Sequence, residues 1–503
     1  MSDNLFEILE DAFPADMDAI AFELEDGSTI SYGDMNARSA QMANLLVSLG
    51  ADVGDRVAVQ IEKTPEAVML YLACLRAGLI YLPLNTAYTV SEVDYFLGDA
   101  TPTIVVCDPD REVDIKVKAA SAGAKVVLTL SDTGTGTLTD QAAGQPDTFN
   151  TVARDSEDIA AILYTSGTTG RSKGAMLTHD NLSSNALTLK RIWQWRDGDV
   201  LLHALPIFHV HGLFVALHCI FLVGGKSIFL RKFDVDLVMQ HLPRSTVLTG
   251  VPTFYTRLLA NPDFGKEHCR NMRLFMAGSA PLLDETFIEF QERTGHTILE
   301  RYGMTETGMT CSNPYDGDRI AGLVGPEMPD TVGRVADDDG NELPDGEIGV
   351  LEVKGRNVFK GYWQMPEKTA SEFRDDGYFI TGDMAKREPN GYIRIVGRAK
   401  DLIISGGFNV YPKEIEACLD DHDGVLESAV VARPDTDFGE VAVAYVVRTD
   451  QALTVDAVRD YAKENLANFK VPKKVVFVDR LPRNTMAKVQ KQRLRETYEQ
   501  LLS

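Results

Sequence analysis

The chain has 503 residues, 44% hydrophobic and 25% charged, which suits a soluble globular protein but is too long for one core. At least two domains are expected, one or both divided further. The formal net charge of −24 argues against non-specific nucleic-acid binding and against anionic membrane surfaces, so any anionic ligand needs a locally basic site.

No apolar run approaches the length of a membrane span. The acidic start, MSDNLFEILEDAF, lacks the basic beginning of a signal peptide and the Arg-rich character of a transit peptide. Cys74, Cys107, Cys219, Cys269, Cys311 and Cys418 are scattered with no CxxC pair, which points to a reducing, cytoplasmic setting and to no zinc site.

Residues 1–160 alternate helical and strand patterns. Ser31 opens a helix that runs apolar at helical spacing to Leu49. Arg56–Gln60, Thr103–Cys107 and Lys125–Leu130 read as strands, and Pro65–Ala77 as a helix stopped by Gly78. Strands alternating with helices predict a largely parallel sheet. Ser131–Gln145 is polar and Gly-rich, hence a loop. Ile159–Leu163 reads as a buried strand that breaks into Thr165-Ser-Gly-Thr-Thr-Gly-Arg-Ser-Lys173-Gly. Small residues, hydroxyls and cations after a buried strand are what polyphosphate binding needs. The loop is not a Walker A motif, and a plain flexible linker is the competing reading.

From 175 to 330 the alternation continues. The run from His203 to Gly212 sets several histidines beside an apolar turn. Ser245–Gly250 reads as a strand followed by a reversal at Pro252, and Leu274–Ala277 as a strand leading into a helix start at Gly278-Ser-Ala-Pro. Leu299 to Thr307 reads as a second hydroxyl-rich turn. Beyond 330 strands shorten and Asp-Gly and Asn-Gly turns crowd, predicting a small β subdomain at about 330–396. Residues 397–400 read as a polar linker. The remainder, 401–503, reads as α+β, with a basic tail in which nine Lys or Arg face one acid, Asp479, between Lys470 and Arg495. That tail is either a solvated face or a place that meets phosphates.

Five motifs stand in order: Tyr164-TSGTTGRSKG, Tyr302-GMTET, Tyr378-FITGDMA, Gly397-RAKDLIISGGFNVYPKEIE and Pro482-RNTMAK. Together they resemble the adenylate-forming superfamily, the acyl-CoA synthetases, over nearly the whole chain. The resemblance implies an α/β fold: a large N-terminal domain (1–396) of two α/β subdomains plus a small β-barrel, a hinge at 397–400, and a mobile α+β lid (401–503). It implies ATP, Mg²⁺ and coenzyme A, with an acyl-adenylate formed first and the thioester second. By the same resemblance, Thr165, Ser166, Gly167, Thr168, Thr169, Gly170 and Lys173 hold phosphates. Glu306 with Thr165 holds the metal, Asp383 and Arg398 hold ribose, and Gly278, Ser279 and Ala280 wall the adenine. Glu300, Tyr302, Gly303 and Thr305 belong to the ATP site, though a helix-cap role for Thr305 competes. Lys488 bridges carboxylate and α-phosphate, Lys400 is the hinge, and Gly406 and Gly407 flank the coenzyme A channel.

Arg301 departs from the many relatives that carry a small residue there. A permanent cation beside an acyl pocket is costly unless a substrate anion pairs with it, so it points to a second carboxylate on the acid. Pairing of Arg301 with Glu300 is the competing reading. His209, with Ser279 nearby, is expected to bind the same carboxylate, and His211 could do so as well; satisfaction by backbone groups competes. The chain is similar to the malonate-activating members of the family, which implies malonate, with methylmalonate second. A ligase for a longer or aryl acid and a module that loads a carrier protein are the alternatives. Ser172 and Ala487 replace Pro and Gly of many relatives.

Overall fold

In the computed structural model, which describes residues 2–165, 172–405, 408–435, 438–466, 468–484 and 488–502, four β-sheets organise the chain. One has seven strands in the order 361–362, 173–178, 159–165, 80–83, 56–60, 104–107, 126–129. Its strands are parallel from 159–165 to 126–129, and its other edge is antiparallel. A second has eight, in the order 308–312, 298–304, 274–277, 247–250, 200–203, 226–229, 20–24, 29–31, parallel except at both edges.

The two sheets share one core. Alternate residues of each, such as Val57 and Val59 in one and Val247, Leu274 and Met276 in the other, join a single cluster with helices Tyr32–Ser48 and Pro65–Arg76. The opposite faces bury separate clusters: Ala58, Leu82 and Val105 against Phe96 and Ile115, and Leu248 and Phe275 against Tyr255 and Phe290. Buried apolar runs in parallel strands produce this layering, because helices must cover both faces. The helices begin where side chains satisfy their first amides: Ser31 with Asp34, Thr64 ahead of Pro65, and Thr178 with Asn181.

Residues 331–336, 348–355, 379–387 and 393–398 form a four-stranded antiparallel sheet, with Gly340, Gly346, Gly377 and Gly391 in the left-handed conformation at its turns. Beyond it, a five-stranded sheet packs with helices Pro412–Asp420, Val455–Asn465 and Lys491–Leu502. This is the α/β class expected, with two α/β units, a β unit and an α+β C-terminal unit. Much of the basic tail is neutralised inside that last unit: Lys470 pairs with Glu414, Arg483 with Glu427, and Lys491 with Glu416 at 2.6 Å. No described helix is long and apolar enough to cross a membrane.

Three local expectations change. The polar stretch 131–145 contains a short helix, Thr137–Ala142, anchored by buried Leu138 and Ala142. Pro252 opens helix Pro252–Leu259 instead of only reversing the chain. The helix expected at Gly278 begins at Asp284, because Ser279 takes a positive φ of 69°.

At the N-terminal ends of the parallel strands, Asp199 ties neighbours together. It is 2% exposed, pairs with Arg273 (Nε 2.8 Å) and accepts from Thr246 Oγ1 at 2.9 Å. Replacing Asp199 with alanine leaves Arg273 buried and uncompensated, with an expected loss of about 3–5 kcal/mol in denaturant unfolding.

Candidate active site

The C-terminal ends of strands 200–203, 247–250, 274–277 and 298–304 lie side by side, the place where open parallel sheets bind ligands. Loop 204–210, Gly278–Ala280 and the turn Thr305–Thr307 are carried on these ends.

Arg301 is 3% exposed, and its Nε and Nη2 have no hydrogen-bond partner. No described carboxylate forms an ion pair with it. Its guanidinium lies on Gly278, where a Cβ would stand 2.5 Å from Cζ, so a side chain there would push the guanidinium from its place. Burial brings the Arg301 pKa down to about 9. Glu300 is not its partner. Neighbours in a strand point to opposite faces, and Glu300 is 5% exposed with Oε2 unpartnered. Burial pushes the Glu300 carboxyl up to about 8.

His209 Nδ1 accepts the His211 amide at 3.2 Å, so the neutral ring carries its proton on Nε2. Burial first, then Lys488 and Arg301, bring its pKa down to about 3. His211 is 1% exposed; its Nδ1 lies 3.4 Å from Ser279 Oγ and its Nε2 is unpartnered. Burial, then Arg301, keeps it neutral too. Arg301 and the two histidines thus lie within electrostatic reach of one another, with N–H groups of Arg301 left unpartnered, an arrangement that fits an anion.

The phosphate-type loop joins two antiparallel strands, 159–165 and 173–178, as a hairpin. Ser166, Gly167, Thr168, Thr169 and Gly170 lie outside the described residues. At its base Thr165 Oγ1 is 3.4 Å from Glu306 Oε1, and Glu306 is 5% exposed, its pKa raised by burial. Tyr362 Oη lies 3.2 Å from Glu306 and 2.6 Å from Glu372, and Lys173 Nζ is 3.0 Å from Glu372. Thr305 leads into a turn and a strand, not a helix, so it has no helix to cap. Residues 302–304, expected in a turn, complete the strand.

Tyr302 Oη donates to Asp383 at 2.5 Å, and Arg398 Nε reaches the same carboxylate at 2.7 Å. Asp383 and Arg398 are cross-strand partners, which fixes their meeting. Lys488 stands on a turn clipped by Asn484, whose side-chain oxygen accepts the Lys488 amide at 2.9 Å. It is exposed by surface area but faces the cleft: desolvation, then Arg398, lowers its pKa, while Asp383 and Glu306 oppose this. The C-terminal unit therefore holds Lys488 within the field of Arg301, His209, Glu306, Asp383 and Arg398.

The structure brings together Arg301, His209, Ser279, Gly278, Glu306, Thr165, Tyr302, Asp383, Arg398 and Lys488, and Ala280 follows Ser279 in the same loop. Gly406 and Gly407 lie outside the described residues, as does Ala487; Lys400 sits in the single turn Ala399–Asp401. Sequence reasoning missed Tyr362, Glu372, Asn185 and Asn357. The last two hold the Glu306 turn: Asn357 Nδ2 donates to the Thr307 carbonyl at 2.7 Å, and Asn185 Nδ2 to that of Met309 at 2.9 Å. No group of three or more His, Cys, Asp or Glu suited to holding a metal occurs among the described residues.

Residues 9–363 match the family model of AMP-binding enzymes, and residues 414–488 match the C-terminal domain of AMP-binding enzymes. The ATP-bound crystal structure of MatB from Rhodopseudomonas palustris is 57% identical, covers 100% of both chains and superposes with a TM-score of 0.98; its apo form gives 0.86. A malonate–CoA ligase of Arabidopsis thaliana is 32% identical across 99% of this chain and 90% of its own length. A long-chain-fatty-acid–CoA ligase of Yersinia pestis is 33% identical across 98% and 94%.

Two measurements check the electrostatics. Arg301→Met removes a desolvated charge, so the ligand-free variant is expected to unfold about 1–4 kcal/mol later than wild type in denaturant. Glu300 binds its proton more tightly folded than unfolded, so its contribution to stability is complete below pH 4.5 and is lost as pH rises toward 8. Glu300→Gln is expected to flatten that decline in a pH series of melting temperatures.

Proposed function

The chain belongs to the AMP-binding enzyme family, and on that premise we propose that it is an ATP-dependent acid–thiol ligase that joins malonate to coenzyme A, yielding malonyl-CoA, AMP and pyrophosphate. The observation that carries the choice of acid is Arg301, a buried cation with two unpartnered N–H groups and no described carboxylate beside it. Fatty acids offer nothing to pair with it. A short dicarboxylate does, and the neutral His209, with Nε2–H free to donate, supports the same group. Ser279 keeps His211 in place beside it.

The distal carboxylate is held by Arg301 and His209, and the near carboxylate attacks the α-phosphorus of ATP. Two anions must meet, so cations have to offset the developing charge. Lys488 bridges the attacking carboxylate and the α-phosphate, and pyrophosphate leaves from the hairpin loop Thr165–Gly170. Tyr302, Asp383 and Arg398 form the ribose end, Asp383 accepting from the hydroxyls. Gly278, Ser279 and Ala280 wall the adenine, with Glu300, Gly303 and Thr305 beside it. Glu306 and Thr165 offer hard oxygen donors, which fit Mg²⁺ completed by phosphate and water. Bound there, the ion supplies charge neutralisation at the phosphates. In the second step the coenzyme A sulfur attacks the acyl carbon, AMP leaves, and the lid (401–503) turns on the 397–400 hinge at Lys400 to withdraw Lys488 and bring Gly406 and Gly407 to the thiol. Methylmalonate is the nearest competitor, because one methyl group is worth only about 1–3 kcal/mol of discrimination.

Pyrophosphate release measured over C2 to C5 mono- and dicarboxylates, with and without coenzyme A, tests this reading. Wild type is expected to prefer malonate, and Arg301→Ala to lose about a hundredfold or more in kcat/KM for it while still binding ATP. Unchanged malonate kinetics in that variant would reject the assignment.

A further inference from the structure

We infer that Lys173 acts as the buried counter-charge of Glu372 and not as a phosphate grip, and that Glu372 and Tyr362 are positioning residues for Glu306. Lys173 follows the hairpin loop, where a cation invites assignment to phosphate. Its ammonium is instead 3.0 Å from Glu372 Oε1 and 4.1 Å from the centre of the Tyr362 ring, with 11% of its side chain exposed. An ammonium covered by a ring and paired with a largely buried carboxylate cannot turn to a phosphate without leaving that carboxylate behind. Glu372 holds a second cation, Lys368, at 2.7 Å on its more open side.

Tyr362 connects this pair to the metal-type carboxylate. Its hydroxyl is 2.6 Å from Glu372 and 3.2 Å from Glu306, and the residue is 2% exposed. Its backbone is seated firmly: residues 361–362 pair with 175–176, the Tyr362 amide donates to Thr369 Oγ1 at 2.9 Å, and the Trp363 amide donates to the Gly174 carbonyl at 2.7 Å. Lys173 and Glu372 therefore hold the Tyr362 hydroxyl against Glu306 Oε1, the same oxygen that Thr165 Oγ1 approaches. Groups behind a metal ligand orient it, and their loss typically costs about 10–100-fold in metal affinity.

This inference rests on the reading of Glu306 as part of the Mg·ATP site, which wild-type calorimetry tests by itself: wild type must bind ATP more tightly with Mg²⁺ than with EDTA. Mg·ATP affinity, kcat, malonate KM and melting temperature are then measured for Lys173→Met, Glu372→Gln, the double variant and Tyr362→Phe. Lys173→Met is expected to weaken Mg·ATP binding about tenfold by leaving Glu372 to the more exposed Lys368 and free to shift toward it, and adding Glu372→Gln to recover affinity to within about threefold of wild type, with malonate KM unchanged throughout. A folded double variant that binds Mg·ATP as poorly as Lys173→Met, or worse, would show that the ammonium grips phosphate directly and would overturn the inference. If Lys173→Met does not fold, the double variant is judged against wild type: Mg·ATP affinity within about threefold supports the inference, and a greater loss overturns it. Tyr362→Phe keeps the packing and is expected to weaken Mg·ATP binding about tenfold without moving ATP affinity in EDTA; unchanged Mg·ATP affinity there overturns the positioning role.

Discussion

A guanidinium buried without a carboxylate governs the acid end of this enzyme. Arg301 costs folding free energy in the empty protein, and the surrounding residues make sense as accommodations of that cost. Gly278 has no side chain because the guanidinium occupies its space. His209 and His211 stay neutral chiefly because they are buried, and the same cation adds to that preference, which leaves them as directed hydrogen-bonding groups. The chain carries a net charge of −24, so at long range it repels the dianions it uses. Within the cleft Arg301, Arg398 and Lys488 supply local positive charge beside Asp383 and Glu306.

The two ends of the site differ in what a comparison of whole chains can say about them. A fatty-acid ligase and a malonate ligase match this chain at 33% and 32% identity, so overall identity does not separate their acids. In the function proposed above, the acid is chosen by the buried charge of Arg301 in the 298–304 strand, and the nucleotide end is built on the Asp383–Arg398 cross-strand pair.

Much of this was legible in the residues. Apolar runs such as Arg56–Gln60 and Leu274–Ala277 form strands over those bounds, because buried parallel strands need little beyond apolar side chains. Arg301 was legible as a departure from the small residue that many members of the resembled family carry there. Tyr302–Met304 was misread as a turn: Gly303 suggests a bend, but it serves close approach instead, since a Cβ there would lie 2.2 Å from the Gly308 carbonyl oxygen. Tyr362 and Glu372 were not legible. Glu372 meets Lys173 across a separation of 199 residues, and nothing local marks a glutamate as buried. The basic tail left open a solvated face or a phosphate-facing patch, and pairing within the unit went unseen because its acidic partners, Glu414, Glu416 and Glu427, lie on other elements.

The pairing of Arg398 with Asp383 has a mechanical side. Arg398 is the last residue of its strand and is fastened to the body, while Asp401, three residues on, is held by Arg495 of the C-terminal helix at 2.6 Å. Between these two clamps stand Ala399 and Lys400, at two soft dihedrals each, so roughly four rotatable backbone bonds separate body from lid. A swivel that short has few rest positions. On the proposed reading, in which the C-terminal unit turns here and Arg398 holds ribose, it favours discrete orientations over a diffuse swing, and loss of the nucleotide and release of the pivot are events on the same residue.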